Sequence, residues 1–203
     1  MTNEKLSFSD ELFVMPENPL SLAMPYEFLM EHITLDWDRL YFGLKSAYIP
    51  LDYAVKKALE EVSSGEQSDI VLALASIFKG EDALAAQYVE DLVAEHVISR
   101  ALLTDETHML RCKNQFLYVA MLWLYENRDD YNQSIDYEEP FQPFEYNVKV
   151  YDVLYDFKLP SLVAEEFYRF TITYQVTEDN KKGYLTAWEQ FLSEQKLIAT
   201  QRG

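Results

Sequence analysis

Between residues 34 and 197, apolar side chains return every three or four positions, the spacing that lines one face of an α-helix. The first run, Trp37, Leu40, Tyr41, Leu44 and Tyr48, follows Thr34, whose hydroxyl suits an N-cap, so a helix is predicted over 34–48. Pro50 fits the first turn of a second helix with Leu51, Ala54, Val55, Ala58, Leu59 and Val62 on one face, and Gly65 should close it. Ser68 opens a third, carrying Ile70, Val71, Leu74, Ile77 and Phe78 up to a stop at Gly80. A fourth runs through Leu84, Tyr88, Leu92 and Val93 to about Arg100. Thr104 or Asp105 then caps a long helix faced by Leu110, Phe116, Leu117, Ala120, Met121, Leu124 and Tyr125.

Beyond that helix the period fails. Residues 129–147 hold Pro140 and Pro143 and no sustained pattern, which predicts a long connecting loop of a length uncommon inside a compact domain. Helix returns around 147–157, again after Ser161, and over 179–197 with Tyr184, Leu185, Trp188, Phe191 and Leu192. Only "FYRFTITYQV" (167–176), β-branched and aromatic, leaves helix and strand both open. Five glycines and no Asn-Gly or Asp-Gly pair argue against hairpin-built sheets. The expected fold is all-α: antiparallel helical hairpins in one domain over 1–203, with an irregular segment at 1–20. The pairs 34–48/50–64 and 68–79/81–100 are of similar length and suggest an α-solenoid, though no residue-level repeat accompanies them.

Charge changes the picture more than composition does. Seventeen Lys and Arg against 35 Asp and Glu give a formal net charge of −18. Residues 1–100 carry 18 acids and 7 bases (−11), and residues 101–203 carry 17 and 10 (−7), so the charge belongs to the whole chain. Such a field repels nucleic acid and anionic membranes and attracts basic macromolecules. With 49% hydrophobic residues, the chain has ample material for a core, and disorder is the wrong class. The single cysteine, Cys112, excludes an intramolecular disulfide and fits a reducing compartment. "MTNEKLSFSDELFVM" lacks a secretory pattern, and "IVLALASIF" and "FLYVAMLWLY" are too short to span a bilayer, so a cytoplasmic location is expected.

Chemical motifs are scarce. Asp105, His108 and Cys112 share one helical face, but paired Cys/His at tight spacing is missing, and no metal or other cofactor is expected. His32 and His96 lie in no nucleophile context, and no phosphate loop, dinucleotide fingerprint, G-x-S-x-G or H-E-x-x-H occurs. Glu60–Glu61 and Glu165–Glu166 are helix neighbours that point ~100° apart, which reads as a solvated face rather than an acid/base pair. The only adjacent bases are Lys56–Lys57 and Lys181–Lys182, too few to neutralise a phosphate backbone.

One stretch remains. From Tyr125 to Phe157 the chain holds nine acids against Arg128 and Lys149, with six tyrosines and three phenylalanines among them. An acidic run is commonly just solvated, yet tyrosine supplies rigid, amphipathic contact area and long loops present binding surfaces. The candidate partner-binding residues are Asp129, Asp130, Tyr131, Asp136, Tyr137, Glu138, Glu139 and Glu145.

Three stretches, "HITLDWDRLYFGLKSAYIPLDYAVKKALE" (32–60), "FLYVAMLWLYENRDDY" (116–131) and "VYDVLYDFKLPSLVAEEFYRF" (150–170), resemble the bacterial family catalogued as domain of unknown function 2247. The shared positions are Leu35 and Trp37, then Trp123 to Asp129, then Tyr155 to Pro160 with one residue fewer between Tyr and Asp. The chain departs from that pattern in its C-terminal helix (179–197) and its acidic stretch at 132–147. The resemblance implies a small, acidic, helical protein with no established catalytic residues. It also implies a likeness to the immunity proteins that bacteria encode beside polymorphic toxins. The resulting expectation is a non-enzymatic binding protein that neutralises a basic toxin domain, with a helical scaffold or adaptor as the alternative.

Overall fold

A computed structural model describes residues 14–131, 145–159, 167 and 177–200. Nine α-helices and no strand occur among the described residues. They are α1 (Tyr26–His32), α2 (Trp37–Lys45), α3 (Asp52–Ser63), α4 (Asp69–Ala75), α5 (Asp82–Ala94), α6 (Arg100–Thr104), α7 (Glu106–Glu126), α8 (Glu145–Asp156) and α9 (Glu178–Thr200). A 3-10 turn at Arg128–Tyr131 follows α7. The all-α expectation holds. The stretch 167–176, where strand competed with helix, lies outside the described residues except for Phe167, as does the helix expected just after Ser161.

Helix ends follow local chemistry, and several differ from the periodic reading. Asp36, not Thr34, caps α2, because its carboxylate accepts the Arg39 N–H and also pairs with the Arg39 guanidinium. Pro50 precedes α3 and opens a turn in which its carbonyl accepts the Tyr53 N–H at 3.1 Å. The close of α3 is as expected: Gly65 has φ +101, its N–H reaches Val62 O, and the Glu66 N–H reaches Glu61 O, a Schellman pair. Asp105 caps α7 with one oxygen 2.8 Å from the Thr107 N and 3.1 Å from the His108 N.

Two helices are shorter than their apolar pattern. α4 stops at Ala75, and Phe78, expected on its inner face, is 77% exposed. Glu81 turns its carboxylate back onto the Phe78 N–H, and Gly80 at φ +98 completes the turn. The helix expected over 81–100 breaks at His96, which takes φ +64. The Ile98 N–H then folds back onto Leu92 O at 3.0 Å, and the Ile98 side chain is fully buried. Neither a glycine nor a proline marks that break.

Helix α7 is the axis of the packing. Every residue from Gln115 to Met121 on it is buried, the signature of a helix enclosed on all sides. It packs against α2, α6, α8 and α9, while α3, α4 and α5 pack together beside them. Phe116 meets Phe42 of α2, and Tyr125 lies edge-on to Trp188 of α9 with ring centroids 5.3 Å apart in both pairs. The expected face of α9 is inside: Tyr184, Trp188, Phe191 and Leu192 are all buried. Helices α3, α4 and α5 each contact the other two, whereas α7 draws in helices distant in sequence.

Residues 14–25, ahead of α1, hold no helix or strand, but the segment is not loose. From Pro16 to Met24 alternate side chains turn inward, with Leu20 half-buried between Asn18 and Leu22. Met24 is fully enclosed, and its carbonyl accepts the Tyr53 hydroxyl at 2.9 Å.

Gly43 sets how closely α2 approaches α7. A Cβ there would lie 2.5 Å from Ile49 Cδ1 and 2.6 Å from Phe116 Cζ, inside contact distance of two core side chains. Gly43→Ala is therefore expected to destabilise by about 1–3 kcal/mol through overpacking, despite alanine's better helix propensity. Urea denaturation checks this, and unchanged or raised stability would show that Ile49 and Phe116 yield at no cost.

Candidate protein-binding surface

The acidic surface begins where α7 ends. Asn127 closes the helix, its N–H and its Nδ2 both donating to Trp123 O at 3.0 and 2.8 Å. Arg128 Nη1 donates to Tyr125 O at 2.6 Å, and its guanidinium lies 4.5 Å over the Tyr125 ring. The Asp130 N–H returns to Asn127 O at 3.1 Å. Tyr125 in turn donates its hydroxyl to Glu189 of α9. Those contacts hold the 3-10 turn against the helical body and leave the Asp129 and Asp130 carboxylates exposed at its tip.

The same turn packs against α8. On that helix Tyr151 and Tyr155 are four residues apart, hence on one face, and are 43% and 66% exposed. Lys158 reaches back to within 4.3 Å of the Tyr155 ring centroid. Asp152, between the two tyrosines, is half-buried, and desolvation raises its carboxyl pKa while Lys149 opposes the rise. The acids of the 3-10 turn and the exposed tyrosines of α8 thus lie on two elements that pack against each other.

Of the residues chosen from sequence, Asp129 and Asp130 sit on this exposed turn, and Tyr131 ends it. Glu145 is not in the loop as expected: it opens α8, where an acid complements the helix N-terminus. Asp136, Tyr137, Glu138 and Glu139 lie outside the described residues. Tyr151 and Tyr155 went unchosen because their periodicity reads as helix, and nothing in the spacing says which helical face meets solvent.

The Asp105, His108, Cys112 face holds no ligand set. Asp105 is engaged as the α7 cap, and Cys112 Sγ lies 3.6 Å from His108 Nε2 inside the core. Burial pushes the Cys112 thiol up to about 12, so it is not a thiolate nucleophile at neutral pH. No group of three or more His, Cys, Asp or Glu placed to hold a metal ion occurs among the described residues. Glu60, exposed as a solvated face requires, and Glu61, half-buried, also act as ties. Glu60 accepts the Tyr26 hydroxyl of α1, and Glu61 accepts the Trp37 indole of α2, both at 2.7 Å, while Lys57 pairs with Glu61 at 2.9 Å.

A second polar centre escaped the sequence reading. Asp156, at the end of α8, accepts the Glu17 N–H, the Asn18 N–H and the Tyr48 hydroxyl at 2.9, 3.1 and 2.9 Å. Its partners are 138, 139 and 108 positions away, beyond the reach of any local pattern. The Tyr155–Asp156–Phe157 run was the available signal, since a motif shared across a family can mark structure as well as chemistry.

These features define an all-α protein built around one enclosed helix, with an acidic and aromatic surface at that helix's C-terminal end. Among the described residues no helix is long and apolar enough to cross a membrane. A family model described as an uncharacterized protein conserved in bacteria, domain of unknown function 2247, matches residues 26–196, and the chain belongs to that family. The match takes in both the acidic stretch at 132–147 and most of α9, which the sequence reading had set apart from the family pattern. No curated protein and no solved structure matches the chain.

Two predictions follow from the buried ionisable groups. Cys112 should react with a disulfide-exchange thiol reagent in denaturant and be inert in the folded protein, and rapid native labelling would contradict its enclosure. The second concerns alkaline pH. Burial, reinforced by neighbouring carboxylates, raises the hydroxyl pKa of Tyr26, Tyr41, Tyr48, Tyr118 and Tyr125, and burial with Asp52 and Glu27 does the same for Tyr53. Above about pH 10 the unfolded chain gives up tyrosine protons that the folded chain keeps, so stability falls as pH rises. Lys113, whose amine burial lowers, acts with the opposite sign but is a single group. The late part of the rise in tyrosinate absorbance, that of the buried tyrosines, should therefore coincide with the loss of far-UV ellipticity. Smooth ionisation of all tyrosines with intact ellipticity would contradict it.

Proposed function

We propose that the chain is a non-enzymatic binding protein of the immunity type, which neutralises a basic toxin domain by covering it. The observation that carries this reading is the net charge of −18, negative in both halves, on a protein with exposed acids and tyrosines at the α7–α8 connection. A field of that sign and size accelerates encounter with a basic protein, up to ~10⁸–10⁹ M⁻¹s⁻¹ at low salt. Exposed tyrosines supply the short-range contact that a purely electrostatic encounter lacks.

Co-expression with the product of the adjacent gene, followed by pull-down, tests the reading. A stable complex with a basic toxin domain supports it, and binding to a neutral partner with no toxin activity would favour the scaffold alternative. With the partner in hand, kinetics separate the two kinds of contact. Exchanging Asp136, Glu138 and Glu139 for Asn and Gln, or Asp129 and Asp130 for Asn, should leave the melting temperature unchanged while slowing association and flattening its salt dependence. Tyr131→Ala and Tyr137→Ala should instead speed dissociation. Association indifferent to all five charges would assign the acidic stretch to solvation alone.

A further inference from the structure

Residues 14–21 are fastened to the helical body chiefly by polar contacts. Of their apolar side chains only Pro16 is buried, with Met15 and Leu20 half-buried, whereas Leu22, Met24 and Tyr26 just beyond are core residues. The fastening is dense. Asp156 takes the Glu17 and Asn18 N–H groups on separate oxygens. Asn18 Nδ2 donates to Ala47 O at 2.8 Å and Leu22 O at 3.2 Å, and its Oδ1 accepts the Leu22 N–H at 2.9 Å. Val14 O lies 3.5 Å from Lys113 Nζ of α7. Beneath are two buried polar side chains, Tyr48 at 1% exposure and Lys113 at 5%.

We propose that residues 14–21 form a latch that opens as a unit while the helices stay folded, with Asp156 as its keeper and Lys113 and Tyr48 as the floor it covers. Opening breaks hydrogen bonds that water can replace and frees Pro16, Met15 and Leu20 from the core surface while Leu22 and Met24 stay in place, so it lies below global unfolding on the ladder of openings. Leu22, Met24 and the Tyr53–Met24 hydrogen bond fix the hinge end, because freeing them would expose core. Opening withdraws Val14 O from Lys113 Nζ and lessens the burial that now lowers the basicity of that amine.

Amide hydrogen exchange read by mass spectrometry, combined with acylation of lysines, tests the proposal on the full chain. The variants are Asp156→Ala, which removes the keeper, and Asn18→Gly, which removes the latch-side bonds and tolerates the φ of +51 at that position. In both, amides of 14–21 are expected to exchange about tenfold faster or more than in the parent, with α3 and α7 unaltered and Lys113 acylation rising in step. Unchanged exchange of 14–21 in the folded variants would overturn the latch, as would opening of 14–21 and α7 together. Fast exchange at 14–21 with Lys113 still unreactive would overturn its assignment as the floor. Should Asp156→Ala fail to fold, Asn18→Gly decides alone, since Asn18 lies outside every helix.

Discussion

Eleven residues of α7 are buried, and two of them, Lys113 and Gln115, are polar, so everything packed around this helix must supply both apolar area and hydrogen-bond partners. Gln115 is the clearer case. Its Oε1 accepts from Arg39 Nε of α2, and its Nε2 donates to Ala199 O near the end of α9 at 3.0 Å. One buried amide therefore fixes two helices from opposite ends of the sequence against a third. A partner missing from either side would leave a polar atom stranded in the core, a cost of about 1–3 kcal/mol. Enclosure of α7 thus selects the arrangement of α2 and α9, and Gly43 lets α2 come close enough to satisfy it.

The acidity is divided between two uses. Asp36 and Asp105 cap helices, Glu60 and Glu61 tie α1 and α2 to α3, Glu90 joins Tyr41 and Lys45, and Glu189 holds Tyr125. Those carboxylates accept hydrogen bonds from neutral or basic donors and belong to the fold. Others, such as Asp129 and Asp130, make no such side-chain contact among the described residues and are exposed to water, where they contribute to the long-range field at little structural expense. Fold and electrostatic field can for this reason change independently.

Much of the fold was legible because amphipathic periodicity reports which residues face a core. The faces of α2 and α9 were readable that way, and the Gly65 stop and Asp105 cap by residue type, while Leu59, expected on the inner face of α3, is 49% exposed. Periodicity cannot report an end made by a residue that is free to continue. His96 adopts a left-handed conformation that its identity does not announce, and Ala75 ends α4 while the apolar pattern runs on to Phe78. The candidate surface was legible in part: Asp129 and Asp130 stood out by charge, but Tyr151 and Tyr155 could be placed outward only by knowing what α8 packs against. Asp156 was illegible, since its meaning lies in contacts made with residues more than a hundred positions upstream.

The link between Glu17 and Asp156 spans 139 positions, and this has a consequence for the chain during its synthesis. Residues 14–21 leave the ribosome well ahead of α7 and α8, yet their anchor is made only after both helices have been translated, and a closed loop that long forms slowly. Until then the segment must travel unattached beside helices that are already collapsing. Its docking marks the arrival of α8, so a stretch translated more than a hundred positions earlier waits for its place.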